Sequence, residues 1–554
     1  MNNLLHDPQF KVDKAIGGEK VISLEEAIGH HIKPGMMIHT GQTGIRWCSA
    51  IYFEMARQFW NRKADWTLVG ISMNFPQSIL VHGGLVKKII TSYCGDPYYT
   101  PSPNRVYQRA YFDGVLDIEN WSIYSLPLRL QAAALDLPYL PTRSLIGSTM
   151  EQENQHALRV VQDDSGSGRA IALVKALEPD ISVIHGWLAD PDGNAVFLAP
   201  LGENLYGAMA SREGVVLTVE KIVPPETIRK YSYLTKLPGT YVRSVTEVPL
   251  GAHPSGMCNL GLPEMEVYGE DYEFIDHVHQ VTKSADKFQE WIDEWVLSCN
   301  DHEGYLKKLG YERILRLKGQ SQPNSWKYDL VAEDKIGDTD RYSATEMAVV
   351  AMARILEKKI KRNSYRTLLA GAGMANLGAW LCYYNLKKEG ITLELMAEVG
   401  MYGYVPQPAD PALFNLRNFN TCRMTTDIQT VMGLFVGGRR ADCIGALGAA
   451  QVDEKGNINS TLTGRRNFIV GSGGANDVAS TAREVVVIVP QSKQRLVESV
   501  YYRTSPGHSV GTVVTTHGVF EKYAGEDKFT LTGCYGGQDY SLDQRLLQIH
   551  DRSG

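Results

Sequence analysis

Glu398 ends an apolar run, Ile391 to Met396 followed by Ala397, and a turn containing Gly400 and Gly403 comes directly after it. Further along lies Gly471-Ser472-Gly473-Gly474-Ala475-Asn476, with three glycines and an alanine in six residues. A carboxylate at a strand end, facing a loop of small residues, is what acyl transfer through a covalent acyl-carboxylate requires. A carboxylate is a weak nucleophile in water. It attacks a thioester once it is partly dehydrated and the developing oxyanion meets fixed donors. Small residues let backbone amides approach a ligand, and a helix starting near Asp477 would add its N-terminal dipole. The amides of Gly474 and Ala475 are the candidate oxyanion donors. Read singly, each segment has a plainer meaning: a solvated glutamate closing an ordinary strand, or a tight turn. Their combination favours the chemical reading.

Other motifs exclude alternatives. Gly471-Ser472-Gly473 lacks the third glycine spacing of a dinucleotide fingerprint, no Gly-Lys-Ser/Thr phosphate loop occurs, and no Gly-x-Ser-x-Gly elbow supports a serine hydrolase. His277-Val278-His279 lacks a third and fourth ligand nearby, so no metal is assigned; a helix-surface cluster is the plainer reading. His253, in Gly-Ala-His-Pro, reads as a hydrogen-bonded turn histidine. Arg439-Arg440 is a solvated basic pair or a partner for phosphates.

These residues sit in a chain of 554, long enough for two to four domains. Apolar residues make up 44% and charged residues 21%, a globular balance. A formal charge of -6 offers no footprint for nucleic acid or an anionic membrane, and there is no apolar run long enough to span one. Eight cysteines without a Cys-x-x-Cys pair, and an N-terminal stretch without an export signal, lead to the expectation of free thiols and a cytoplasmic protein.

Apolar β-branched runs at Val183-Ile184, Val215 to Val219 and Val485 to Val489 read as buried strands. Ala344 to Ile360 reads as a helix with Ser343 as its N-cap. The alternation predicts an α/β fold with mainly parallel sheets and flanking helices. Three features recur in the same order in both halves. A strand runs into glycines at Gly41-Gln42-Thr43-Gly44 and at Gly371-Ala372-Gly373. An Asp-x-x-Gly-Asn turn follows at Asp190–Asn194 and at Asp453–Asn457. A strand then ends in proline at Val223-Pro224 and at Val489-Pro490. The order predicts two tandem similar domains, placed at residues 1–318 and 342–554 with a polar linker at 319–341.

Gly448 to Asp453, Gly456 to Thr461 and Thr504-Ser505-Pro506-Gly507, with Glu398 and the glycine loop, resemble the second subunit of family I CoA-transferases, nearest the glutaconate branch. Leu137 to Pro141, Asp190 to Gly193, Gly251 to Ser255 and Tyr305 to Gly310 resemble the first subunit. The chain is therefore similar to both subunits fused, from about residue 23 to 529. One departure is Val399, where the glutaconate branch has serine after the catalytic glutamate.

The resemblance implies CoA transfer from an acyl-CoA to a carboxylic acid through a glutamyl-CoA thioester on Glu398. CoA is then substrate and covalent intermediate, with no permanently bound cofactor. It implies that Gly471, Ser472, Gly473, Gly474, Ala475 and Asn476 bind the oxyanion and CoA. It also implies that the turn carrying Gln42 and Arg46 approaches the active site from the other half. Gln42 would orient the acyl group and Arg46 would pair with a substrate carboxylate, or Arg46 is a surface ion pair. The expected partners are these small molecules and further copies of the chain, as a homo-oligomer, with neither nucleic acid nor membrane. An acyl-CoA hydrolase of the same fold and a non-catalytic CoA-ester sensor are the alternatives. Tyr98, Tyr99, Tyr402, Tyr404 and Trp47 are candidate aromatic walls of the pocket, or core.

Overall fold

In the computed structural model the described residues are 18–41, 46–96, 102–163, 168–262, 265–322, 324–327, 342–408, 412, 414–523, 526 and 528–535. Two nine-stranded sheets form its frame among these residues.

The first sheet has a parallel core in the order Val242–Glu247, Val215–Ile222, Ile181–Ala189, Met37–Thr40, Trp66–Met73, Val86–Cys94 and Asp117–Asn120. The second has a parallel core in the order Val510–Thr515, Glu484–Val489, Cys443–Gly448, Thr367–Ala370 and Glu394–Ala397, extended by antiparallel edge strands. Strands such as Ile181–Ala189 and Glu484–Val489 are buried along nearly their whole length, as expected where helices cover both faces of a parallel sheet. The expected strands at Val183-Ile184, Val215 to Val219 and Val485 to Val489 all lie in these cores.

The first strand of each half occupies the same place. Met37–Thr40 pairs with Trp66–Met73 on one side and Ile181–Ala189 on the other. Thr367–Ala370 pairs with Glu394–Ala397 and Cys443–Gly448. In each sheet the succeeding strands then add outward in chain order.

The helix Ala344–Asn363 starts at Ser343, whose hydroxyl accepts the Glu346 amide while the Glu346 carboxylate accepts the Ser343 amide. It buries Ala348, Met352, Leu356 and Ile360, one stripe at helical spacing. Gly378 in the neighbouring helix Met374–Lys388 admits Met352; a Cβ there would lie 3.1 Å from its sulfur. The helix Tyr311–Gln320 spans residue 318. Most of the expected linker, residues 323 and 328–341, lies outside the described residues. Among the described residues, no helix is long and apolar enough to cross a membrane.

Candidate active site

Glu398 follows the last residue of the strand Glu394–Ala397, where the chain reverses into the antiparallel strand Met401–Tyr404. The reversal depends on Gly400: its φ is +125°, and a Cβ there would come within 2.2 Å of the Thr426 carbonyl. Glu398 is 6% exposed, and its Oε2 has no hydrogen-bond partner among the described residues. Burial raises its pKa to about 7, with the charge of Asp477 adding in the same direction. A carboxylate held this way is dehydrated and more basic than one in water, the condition set for a nucleophile.

The glycine loop lies against it. A Cβ on Gly474 would sit 3.7 Å from the Glu398 carboxyl carbon and 3.4 Å from Ile123. Gly471 and Gly473 have φ of +98° and +50°, and a Cβ on Gly471 would meet the Ser92 carbonyl at 2.6 Å. The loop is hydrogen-bonded into the first half. Gly473 N donates to Ser92 O (2.8 Å), Ile123 N to Gly473 O (3.0 Å), and Cys94 N to Val470 O (2.7 Å).

Behind the loop, Asn476 is fully buried. It accepts the Leu145 amide at 2.8 Å and donates to the Thr504 carbonyl at 2.9 Å. The Thr504 hydroxyl receives Ser460 N at 3.0 Å, and Ser460 Oγ donates to Gly471 O at 2.7 Å. The motifs around Ser460 and Thr504 thus fix the shape of the loop.

The Ala475 amide already donates to Ser472 O at 3.1 Å, and Gly473 N is committed to Ser92 O. Of the expected donor pair, Gly474 N is the one left to aim at an oxyanion. Ser472 contributes a buried hydroxyl with no partner among the described residues.

Asp477 stands beside this pair and was not singled out from sequence. It is 1% exposed and accepts Ser122 Oγ at 2.6 Å and Tyr124 N at 3.1 Å, both from the first half. Burial raises its pKa to about 6 against the lowering effect of those donors. An Asp opening a helix is ordinarily a solvated terminal charge, and nothing in its neighbours' types marks it as buried.

Arg46 is 2% exposed, so it is not a surface ion pair. Its guanidinium donates to Leu198 O (3.2 Å) and Pro200 O (3.1 Å) and lies 4.6 Å over the Trp187 ring. Burial lowers its pKa to about 10. The segment it holds continues to Leu201 N and Gly202 N, which donate to Thr426 O (2.9 Å) and Val399 O (3.3 Å). Arg46 therefore braces the loop that docks behind Glu398.

Gln42, Tyr98 and Tyr99 lie outside the described residues. Trp47 and Tyr404 are core residues, and Tyr404 Oη accepts from Trp380 Nε1 at 3.0 Å. Tyr402 is half-buried and tilted against Phe435, with ring centres 5.0 Å apart. His279 pairs with Asp96 at 2.8 Å, His277 is exposed, and no metal-holding cluster occurs among the described residues. His253 is buried between Tyr305 and Asp271.

Fold and site define an α/β enzyme frame with parallel sheets, helices on their faces and an acidic residue against a glycine loop. The chain matches the sequence profile of the Coenzyme A transferase family over residues 21–247 and 429–526, and it belongs to that family. Its fold is that of family I, the glutaconate CoA-transferase type. It is 30% identical over 314 residues to the first of the named subunits of glutaconate CoA-transferase from Acidaminococcus fermentans, covering 54% of this chain and 94% of the relative. It is 28% identical over 215 residues to the second of the named subunits of 3-oxoadipate CoA-transferase from Pseudomonas knackmussii, covering 35% of this chain and 79% of the relative. It spans 64% of the length of an uncharacterised Archaeoglobus fulgidus protein that is 31% identical, matched over 54% of this chain. A crystal structure of an acyl-CoA transferase from E. coli O157:H7 superposes with a TM-score of 0.63 at 17% identity, over 95% of this chain and 92% of that one, a likeness of fold.

Proposed function

We propose that the protein moves CoA from an acyl-CoA to a carboxylic acid through a glutamyl-CoA thioester on Glu398. One observation carries this reading: the Glu398 carboxylate is buried, lacks a partner at Oε2 among the described residues, and faces Gly474. A Glu398 oxygen attacks the thioester carbonyl, the C–S bond breaks, and CoA leaves as thiolate from a mixed anhydride. The thiolate attacks the Glu398 carbonyl and expels the first acid as its carboxylate. A second carboxylate attacks the glutamyl thioester, giving a new anhydride and thiolate. The thiolate then attacks the substrate carbonyl and restores Glu398. No proton is consumed over the cycle. Each tetrahedral oxyanion draws on the Gly474 amide, worth about 3 kcal/mol per donor.

The chain reads as two fused subunits, with a first domain at 1–318, a linker at 319–341 and a second domain at 342–554. Separate similarity to the two kinds of CoA-transferase subunit, and the shared strand order of the two sheets, support this. In this reading the site lies where the halves meet, the loop Gly471 to Asn476 forms the wall that receives the oxyanion and the thiol end of CoA with the Gly474 amide as donor, and Gln42 orients the acyl group. Arg46 acts on substrate only through the loop it braces.

Incubation with an acyl-CoA and no acceptor is the test. Mass spectrometry should find CoA attached at Glu398, sensitive to borohydride and hydroxylamine, and the Glu398→Ala protein should carry no adduct. Turnover without an adduct, or an adduct on another residue, overturns the mechanism; steady release of free acid without an acceptor identifies a hydrolase instead.

A further inference from the structure

Asp96 stands two residues beyond the strand Val86–Cys94, in the sequence Tyr93-Cys94-Gly95-Asp96. An acid after a glycine at a strand end is ordinarily a solvated turn residue. This one is 5% exposed. Asn104 Nδ2 lies 3.1 and 3.2 Å from its two carboxylate oxygens, and His279 Nδ1 lies 2.8 Å from Oδ2. An ionised carboxylate only accepts, so His279 presents Nδ1–H to it. The Asp96 backbone is equally engaged. Its amide donates to Ser102 O at 2.9 Å, and its carbonyl accepts Ser102 N at 3.0 Å and the Tyr93 hydroxyl at 3.0 Å. Burying a carboxylate is costly unless donors surround it. Here they come from separate pieces of the first half: the residue before the helix Arg105–Phe112, and the helix Tyr272–Val281.

Two routes lead from this knot to the glycine loop. The first is the strand end: Cys94 N donates to Val470 O at 2.7 Å, and Gly473 N donates to Ser92 O at 2.8 Å. Gly95 packs closely on the same arm, since a Cβ there would lie 3.0 Å from the Val470 side chain and 2.6 Å from Ser102 O. The second route is the helix Arg105–Phe112. Asn104 caps it by accepting the Val106 amide at 2.9 Å, and Gln108, one turn on, donates to Phe468 O at 2.6 Å. Tyr111 on that helix lies against the Phe468 ring, with centres 5.7 Å apart. Phe468 and Val470 belong to the arm that delivers the chain to Gly471. Both grips on that arm are therefore fixed to one carboxylate.

We propose that Asp96 is a positioning residue for the transfer reaction. It locks the strand end and the capped helix into one seat for Phe468 to Gly473, and that seat sets where the Gly474 amide points relative to Glu398. The proposal rests on the CoA-transfer reading and adds to it a residue that governs the reaction through the loop, without touching substrate.

Asp96→Ala is the test variant. His279→Ala is the gentler one, because it removes a single donor whose side chain is 23% exposed. Tyr268→Phe removes a buried hydrogen bond to Glu220 elsewhere in the first half and serves as the control for destabilisation alone. Two quantities are read at a temperature where the variants are folded. One is steady-state kinetics with the acyl-CoA that the wild type turns over fastest and acetate as acceptor. The other is hydrogen exchange of the Cys94 and Gly473 amides, which needs no ligand. A misplacement of about 1 Å costs on the order of 10²-fold, so Asp96→Ala should lose about tenfold or more in kcat with KM moved less than about threefold. His279→Ala should show a smaller loss of the same kind. Exchange of both amides should quicken in Asp96→Ala and His279→Ala and stay unchanged in Tyr268→Phe. Should Asp96→Ala fail to accumulate as folded protein, His279→Ala decides alone. An equal fall of kcat in Tyr268→Phe overturns the proposal, as does lost turnover with exchange unchanged, or faster exchange with turnover unchanged. Absence of CoA on Glu398 in the wild type, with exchange responding as expected, removes the transfer mechanism and keeps Asp96 as the anchor of the loop. A wild-type adduct with kcat and exchange indifferent to Asp96 does the reverse.

Discussion

Two loops, one in each half of the molecule, are built alike. In the first half, the Asp190–Asn194 turn leads to Gly202 at φ +58°, then the seven-residue helix Asn204–Ala210, then the strand Val215–Ile222. In the second, the Asp453–Asn457 turn leads to Gly473 at φ +50°, the seven-residue helix Ala475–Thr481 and the strand Glu484–Val489. The two turns agree bond for bond: Asp190 Oδ1 and Asp453 Oδ1 each accept an Asn amide at 2.9 Å, and the Asn side chains return to Oδ2 at 2.9 Å.

Each loop reaches into the opposite half. Gly202 donates to Val399 O, and Gly473 donates to Ser92 O. What differs is the content. The first loop carries Glu203, fully buried, whose charge acts on the buried Arg46. The second carries Gly474, which leaves Glu398 a bare wall. One copy of the design is filled with a charge and its neighbour and serves as a brace. The other is emptied and can admit a substrate.

Substitutions that fill or empty these loops put the contrast at risk. The largest effect is expected for Gly474→Val. Its φ of −85° is ordinary, so the chain should fold, but the added methyls press on Glu398 and Ile123 and obstruct the oxyanion amide. Turnover should fall about 10²-fold or more, while thermal unfolding stays close to wild type; normal kinetics would make the loop a structural turn only. Arg46→Met, against the filled loop, should reverse that pattern. Two carbonyls, Leu198 O and Pro200 O, lose their donor, at about 1–3 kcal/mol each, so denaturant unfolding should register a clear loss of stability with kcat changed far less. A collapse of kcat with stability intact would mean that Arg46 acts on substrate directly.

The smallest effect is expected for Asp477→Asn, which removes a negative charge beside Glu398. Because that charge helps to raise the Glu398 pKa to about 7, its loss lowers that pKa. The acid limb of the rate profile, where Glu398 must lose its proton to attack, should therefore move to lower pH. An acid limb that stays in place would show that burial alone sets the basicity of Glu398.

Much of the frame is legible because short β-branched apolar runs such as Val485 to Val489 fit strands buried on both faces, and the longer amphipathic stretches between them supply the helices. Glu398 and the glycine loop are legible as types at strand and helix ends, and their approach depends on residue types that a sequence displays openly, glycines at the turns Gly400, Gly471 and Gly473. The role of Arg46 was not legible, since an arginine after a glycine turn looks the same whether its partners are substrate oxygens or the carbonyls of a loop some 150 residues away. Asp477 was hidden for a similar reason: only the packing of Ser122 and Tyr124 against it, from the other half, turns a helix-opening acid into a buried one. The sequence pairs the Ala475 amide with Gly474 as a donor, whereas the tightness of the Ser472 turn, a backbone property, commits that amide to Ser472 O.

The strand-like bonds among Ser92, Cys94, Val470 and Gly473 have a further consequence. The backbone that would receive reaction charge is also the seam by which one half is sewn to the other. Any breathing of the two halves opens that seam and misaligns the amides before it disturbs either hydrophobic core. On the proposed mechanism a loosely docked state is not a competent one, and on the fused-subunit reading a single chain keeps the pieces of that seam in equal supply.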